Sequence, residues 1–223
     1  MRFATFEIDG KAVWGLASDK GLHAVDAATL ARYPSLKAAI AANALAEVAN
    51  ALKDSAPSAT LATAQFLPVI PDPEKILCVG LNYEAHRLEG GWPEVEHPTI
   101  FGRFANSQIG HGQPMIKPKV SDKLDYEAEL AVIIGTPGRH IAEADAMDHV
   151  AGYACYNEGS VRDWQRHTTQ FTPGKNFIGT GAFGPYLVTK DEIADLGPLV
   201  MEARLNGEVM QHTKLDDLIF SVP

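Results

Sequence analysis

The stretch Asp125-Tyr-Glu-Ala-Glu-Leu-Ala-Val-Ile-Ile134 constrains the fold more than any other part of the chain. Its alternation sets Tyr126, Ala128, Leu130 and Val132 on one face of a strand, and Asp125, Glu127 and Glu129 on the other. The acidic face then runs into Ala131 and Ile133, so further along the strand is apolar on both faces, as in a strand covered from both sides. Two residues that are two apart on a strand lie roughly 6.6 Å apart along it, and two Glu side chains at that separation can converge on one cation. Read alone, this face is either the solvated side of an ordinary strand or a pair of ligands. If both carboxylates are buried, each opposes the other's ionisation unless a cation stands between them. Oxygen ligands without a neighbouring Cys or His select a hard ion: Mg²⁺, Mn²⁺ or Ca²⁺.

The chain of 223 residues is 46% hydrophobic, enough for one sizeable core or a core with a small appended domain. A formal net charge of −9 disfavours non-specific nucleic-acid binding. An anionic substrate would need local positive charge from a metal ion or from converging Arg and Lys. Cys78 and Cys155 give no disulfide framework, so a reducing cytoplasm is expected. No signal peptide is visible at the N-terminus, and no apolar run approaches the ~18–20 residues of a membrane span.

Along the chain, Asp9-Gly10 predicts a hairpin between Arg2–Ile8 and Lys11–Ala17, and a third strand follows at Leu22–Val25. An Ala-rich stretch then places Leu36, Ile40, Val48 and Leu52 on one helical stripe, started by Pro34-Ser35. Ser55–Thr60 and the prolines at 68, 71 and 73 read as a linker, which puts a domain boundary at about residue 70. Beyond it the pattern predicts a buried strand at Lys75–Val79, a short helix at Tyr83–Glu89 stopped by Gly90-Gly91, and an extended segment at Pro98–Phe104. After the acidic strand come a helical turn at Glu143–His149, a strand at Ala151–Tyr156, and a helix at Val161–His167. Ser160 and Asp163 are spaced as its capping box. Leu215, Leu218, Ile219 and Val222 make a last helical stripe. The fold class is β-rich α+β.

Three further segments carry candidate chemistry. His86 and Glu89, three apart on a helix, share a face, so the carboxylate can orient and polarise the imidazole. Such a pair can take a proton from water, although this spacing also arises by chance. Glu158 stands where a strand gives way to a helix, a usual place for functional side chains; the plain alternative is a turn with a capping box. Lys175 follows the turn Thr172-Pro-Gly and, taken alone, reads as a surface lysine sooner than a site residue.

Taken in order, these segments resemble the fumarylacetoacetate hydrolase superfamily. The resemblance runs from about Lys75 to Pro223, through Val79-Gly-Leu-Asn-Tyr-Glu-Ala-His86, Asp125-Tyr-Glu-Ala-Glu129-Leu, Gly152-Tyr and Ser160-Val-Arg-Asp-Trp-Gln165. It continues in Gly184-Pro185, Val188-Thr189, Asn206-Gly207-Glu208 and Leu218-Ile-Phe-Ser-Val222. It implies a mixed β-roll with a small N-terminal α+β domain, residues 1–70 before residues 71–223, and a homodimer. It further implies Mg²⁺ or Mn²⁺ held by Glu127, Glu129 and Glu158, the last standing where the family usually has Asp. His86 and Glu89 would activate water, Lys175 and Gln165 would stabilise negative charge, and Arg162 and Tyr83 would line the substrate side. The family also continues past the Ile-Phe-Ser-Val motif, with a Thr-Gly-Thr-Pro loop at the substrate, so a chain stopping at Pro223 is expected to be C-terminally incomplete. The implied activity is metal-dependent hydrolysis of a C–C bond in an acylpyruvate or fumarylpyruvate. The alternatives are isomerisation or decarboxylation of a 2-oxo diacid of hydroxymuconate or oxaloacetate type, or an inactive binding or structural subunit.

Overall fold

Asp9 and Gly10 take φ angles of 50° and 72° and reverse the chain between β1 (Arg2–Ile8) and β2 (Lys11–Ser18). Ile8 pairs with Lys11 across this two-residue turn, a geometry Asp-Gly favours because both central positions need φ above zero. β3 (Gly21–Ala24) pairs with β2. In the computed structural model, which describes residues 1–223, three helices follow. α1 (Ala27–Arg32) is capped by the Asp26 carboxylate, which accepts from the Thr29 N–H at 2.7 Å. α2 (Leu36–Ala41) is capped by the Ser35 hydroxyl. The Ala-rich stripe is not one helix: Asn43, at φ 52°, turns the chain between α2 and α3 (Leu45–Leu52). Leu36, Ile40, Val48 and Leu52 therefore enter the core from two short helices.

β4 (Gln65–Phe66) pairs with β1. Next comes a ribbon of β5 (Ile76–Gly80) and β6 (Thr99–Arg103), with α4 (Glu84–Glu89) between its strands. The segment Lys75–Val79, expected to be buried, leaves Leu77 and Val79 exposed, because the ribbon covers one of its faces only. The inward positions are Cys78, Phe101 and Arg103, and burial pushes the Cys78 thiol up to about 12.

β7 (Gln108–Ile109), β8 (Leu124–Asp125) and β9 (Ala128–Ile134) precede a 3₁₀ turn at Glu143–His149. β10 (Val150–Glu158) and β11 (Ser160–Val161) lead into the one-turn helices α5 (Arg162–Gln165) and α6 (Thr172–Lys175). β12 (Gly181–Phe183) and β13 (Leu187–Thr189) return to the sheet, and β14 (Val200–Leu205) with β15 (Glu208–Lys214) forms a separate hairpin. The central sheet runs β3-β2-β1-β13-β10-β12-β7, with β9 also paired to β10. Its pairings are antiparallel except β12 with β7, which makes the sheet mixed.

The N-terminal strands join this sheet directly, Arg2 standing opposite Val188. One hydrophobic cluster takes Phe3, Trp14 and Leu36 from before residue 70 and Ile133, Ala154 and Leu187 from after it. Residues 1–70 and 71–223 thus share a sheet and a core, and the proline-rich stretch between them carries the buried Val69 and Ile70. Each fully buried large apolar side chain here stabilises the fold by about 1.5–3 kcal/mol.

The C-terminal stripe does not form a helix. Leu215–Asp217 make a 3₁₀ turn, after which Leu218 pairs with Tyr83 and the Ile219 N–H donates to the Asn82 carbonyl at 2.9 Å. These backbone groups bond across the molecule rather than along their own chain. Asp217 caps α4 from there, accepting from the Ala85 N–H at 3.0 Å.

Candidate active site

The acidic strand is interrupted at Tyr126 and Glu127, between β8 and β9, but its pairing continues. Glu129 stands opposite Tyr156 and Ala128 opposite Asn157. The Glu158 N–H donates to the Glu127 carbonyl at 2.8 Å, and Asp125 stands opposite Ser160. Directly opposed residues of an antiparallel pair share a face. Asp125, Glu127 and Glu129 therefore lie on one side with Ser160, Glu158 and Tyr156. The same face continues through Ala131 and Ile133, opposite Ala154 and Gly152, into the hydrophobic cluster. The carboxylates sit at the margin of the core because they share a ladder face with it.

Facing acids of this kind need cations, and the chain supplies three. Arg162 donates from Nε to Asp125 at 2.8 Å and from Nη1 to Glu127 Oε1 at 2.5 Å. Lys175, 2% exposed, donates from Nζ to Glu127 Oε2 at 2.9 Å and also to Glu158 Oε2. Arg103, wholly buried, donates to Glu158 Oε1. Gln165 joins through its Oε1, 3.0 Å from Arg162 Nη1. Ser160 donates to Glu158 Oε2 at 2.8 Å and accepts from Lys175 at 2.6 Å. That use of the hydroxyl replaces the expected capping box. α5 begins after Val161 with no side-chain cap, and Asp163 instead accepts from Ser121 and from the Trp164 N–H.

The electrostatics follow from these contacts. Burial alone would raise Glu127, but Lys175, the hydrogen bond with Glu158, and Arg162 outweigh it and hold the carboxyl at about 2. Glu158, more deeply buried, sits above the ordinary carboxylate range, since burial and Glu127 prevail over Lys175 and Arg103. Glu129 has no hydrogen-bonding or ionic partner; burial first, then Glu127 and Glu158, push it up to about 8. Tyr83 is raised by burial and by the nearby Glu129, and its hydroxyl reaches only Met201 Sδ, at 4.0 Å. His86 and Glu89 lie outside this network. Their Nδ1 and Oε2 are 3.7 Å apart, with side chains 61% and 84% exposed on α4. A cavity of about 600 Å³ opens beside α5 and α6, walled by Phe104, Trp164, Pro173 and Phe177.

Sequence reasoning did not identify Arg103, nor Ser160 as a partner of Glu158. A signal for Arg103 was present: it lies two positions after Phe101 in a short strand, so a charge falls on the inward side of an apolar ribbon.

The donor set fits a cation in charge. All four oxygens of Glu127 and Glu158 have protein donors, whereas the half-buried Glu129 carboxylate has none and would be relieved by a positive ion beside it. No three His, Cys, Asp or Glu are gathered closely enough to hold an ion by themselves, and the Lys175 ammonium lies between Glu127 and Glu158. Glu127, Glu129 and Glu158 share a face without being drawn round one point.

Residues 75–223 match the model of the fumarylacetoacetate (FAA) hydrolase C-terminal family, and the chain belongs to that family. Among curated relatives, the mitochondrial oxaloacetate tautomerase fahd2 of Xenopus laevis is 43% identical over 157 residues, 70% of this chain and 49% of that protein. The chain thus spans about half the length of this relative. A putative HpcE protein from Mycobacterium smegmatis has a similar structure, with a TM-score of 0.83 and 33% identity over 99% of this chain and 77% of that one. The maleylpyruvate hydrolase of Sphingobium sp. SYK-6, solved with manganese(II) and pyruvate, shares the fold at a TM-score of 0.81 and 23% identity, covering 100% of this chain and 80% of that one. No helix is long and apolar enough to cross a membrane.

Proposed function

We propose that this chain carries the site of a divalent-metal-dependent enzyme that enolises a small 2-oxo acid, interconverting keto and enol forms of an oxaloacetate-type diacid. The observation that carries the reading is the shared face of Glu127, Glu129 and Glu158, with Lys175, Arg162 and Gln165 bound into it and Glu129 alone unpartnered. The oxaloacetate tautomerases among its relatives support the substrate class.

Glu127, Glu129 and Glu158 would hold Mg²⁺ or Mn²⁺. When bound, the ion supplies a Lewis acid for the 2-oxo and carboxylate oxygens of the substrate. The protein's own groups do the rest. Lys175, whose three donors hold Glu127, Glu158 and Ser160, contributes positive charge near the oxygen on which enolate charge grows, and Gln165, its Oε1 held by Arg162, offers its amide N–H there. Tyr83 offers a neutral hydroxyl beside Glu129. His86, oriented by Glu89 on α4, takes the proton that leaves the carbon next to the carbonyl and passes it to the enolate oxygen, and the enol-to-keto direction runs the same transfer in reverse. The reaction is balanced without water or another reagent: one C–H proton is lost and one O–H proton gained.

A second reading, C–C hydrolysis of an acylpyruvate or fumarylpyruvate, is favoured by the His86–Glu89 pair itself, which could equally take its proton from water. The two readings part in one experiment. The purified chain is given oxaloacetate and a panel of acylpyruvates, with Mn²⁺, with Mg²⁺ or with chelator, and products are followed by ultraviolet absorbance and NMR. Metal-dependent tautomerisation with the carbon skeleton intact is the expected result. Cleavage of the acylpyruvates without tautomerisation would establish the second reading, and neither activity with metal bound would contradict both. The expected homodimer belongs to the same proposal. Exposed Leu77, Val79 and Ile100 are apolar surface that a second copy would cover, and sedimentation tests it.

A further inference from the structure

Helix α4 carries the proposed proton carrier but has little of its own to keep it in place. It is six residues long, has no side-chain cap at its start, and follows Leu81 at φ 57°. A leucine keeps that left-handed geometry only where its surroundings impose it. A helix this short also gains too little from its own hydrogen bonds to stand alone. Its position must come from elsewhere in the chain, and its contacts lead to one stretch, Gln211 to Phe220.

Asn82, next to Leu81, bonds both backbone groups of Phe220 across 138 positions. Its Oδ1 accepts from the Phe220 N–H at 2.8 Å, and its Nδ2 donates to the Phe220 carbonyl at 3.0 Å. The Asn82 carbonyl accepts from the Ile219 N–H at 2.9 Å, and Asp217 accepts from the Ala85 N–H at 3.0 Å. The other end of the same stretch grips the carboxylate strand. Gln211, on β15, accepts at Oε1 from the Ala128 N–H at 2.8 Å and donates from Nε2 to the Tyr126 carbonyl at 2.9 Å. These two groups flank Glu127, whose own carbonyl is turned the opposite way, to the Glu158 N–H. Each carboxamide thus stands in for the peptide group of a neighbouring strand. Between the two grips the stretch is itself anchored, with Leu215 buried and its N–H donating to the Leu199 carbonyl at 3.0 Å. Burial, and after it the nearby Glu129, raise the Tyr83 hydroxyl, so the start of α4 adjoins the carboxylate face.

We propose that Asn82 is a positioning residue for His86: with Gln211 it fastens α4 and the Glu127–Glu129 strand to the two ends of one stretch, and so fixes how far the proton carrier stands from the carboxylate face. The proposal rests on the reading of His86 as proton carrier, which tautomerisation and hydrolysis share. A carboxamide suits the task because it sets a donor beside an acceptor, whereas a carboxylate would meet the Phe220 carbonyl with a second acceptor.

The test is steady-state kinetics of the purified chain with Mn²⁺, on whichever of the two activities the parent shows, together with amide hydrogen exchange. Asn82→Ala should lower kcat at least tenfold with KM within twofold of the parent, because substrate still binds but meets a displaced proton carrier. Asn82→Asp, which keeps the shape and loses the donor, should lose as much. Asp217→Asn, which keeps an acceptor for Ala85, should lose less, and Gln211→Met, which frees the other end, should also lower kcat. Ser35→Ala, which removes the cap of α2, should leave kcat within twofold. The Arg87 and Gly90 amides of α4 should exchange at least tenfold faster in Asn82→Ala, while those of β10 keep their parental rates. A folded Asn82→Ala with kcat within twofold of the parent, or a loss carried by KM alone, would overturn the proposal. If Asn82→Ala does not fold, Asn82→Asp and Asp217→Asn decide by the same criteria. A parent with neither activity would instead contradict the reading of His86. The fastening would then be decided by exchange, and parental rates in α4 of Asn82→Ala would overturn it.

Discussion

The carboxylate ribbon and helix α4 hold the two halves of the proposed chemistry in opposite physical states. On the ribbon, Glu158, Lys175 and Arg103 are almost wholly buried and bonded to one another, each fixed by several partners. On α4, His86 and Glu89 touch each other at 3.7 Å and otherwise face water. Charge in the first region is handled by fixed donors, and the proton carrier in the second stands on a surface helix. That helix is tied to the rest of the fold through Asp217 and the bridge from Tyr83 to Leu218. Preorganisation is thus concentrated in the buried network, while the proposed acid–base pair stands exposed on its helix.

The contrast breaks most visibly at Lys175. Lys175→Met leaves Glu127 and Glu158 facing each other without their shared ammonium. Removing one partner of a buried ion pair costs about 3–5 kcal/mol, so denaturant melts should show a loss of that order, and turnover should vanish. His86→Ala, at an exposed position, should change stability by no more than about 0.5 kcal/mol. Equal stability effects at the two positions would erase the distinction between the regions.

Turnover sharpens it. His86→Ala and Glu89→Ala should each lower the rate by up to about 10²–10⁴-fold, the range for general acid–base groups, with Mn²⁺ affinity within twofold of the parent. A variant that turns over at near the parental rate would remove the pair from the mechanism.

The smallest expected effect is a pH dependence. Glu129 in the folded, metal-free chain is raised from 4.5 to about 8. Between these values the folded state holds a proton that the unfolded state has lost, so this group's contribution to stability falls as pH rises across that window. The metal-free melting temperature should therefore decline from about pH 5 to pH 8. Glu129→Gln should flatten that slope, and so should added Mn²⁺. A slope unchanged by Glu129→Gln would assign the dependence to another group.

Much of this was readable from the chain because alternation and turn chemistry are local. The Asp9-Gly10 hairpin, the placing of Asp125, Glu127 and Glu129 on one side, and the continuation of that side into Ile133 all follow from period two and backbone preference. What was not readable depends on partners far along the chain. Arg103 meets Glu158 across 55 positions. Ser160 has the spacing of a cap, but in the fold its hydroxyl is taken by Glu158. Leu218 and Ile219 have helical spacing, but residues 82 and 83 capture their backbone. Leu77 and Val79 look like core residues until the ribbon is seen to be covered on one side only.

The central claim is that Glu127, Glu129 and Glu158 serve one cation, with Glu129 the ligand that no protein donor occupies. Titrating Mn²⁺ into the parent chain and into Glu129→Gln, with free ion read by electron paramagnetic resonance, tests it most directly. The account predicts one saturable site per chain in the parent and its loss in the variant, while the variant's melt stays cooperative. Equal binding by the two proteins, or no saturable binding by the folded parent, would contradict it.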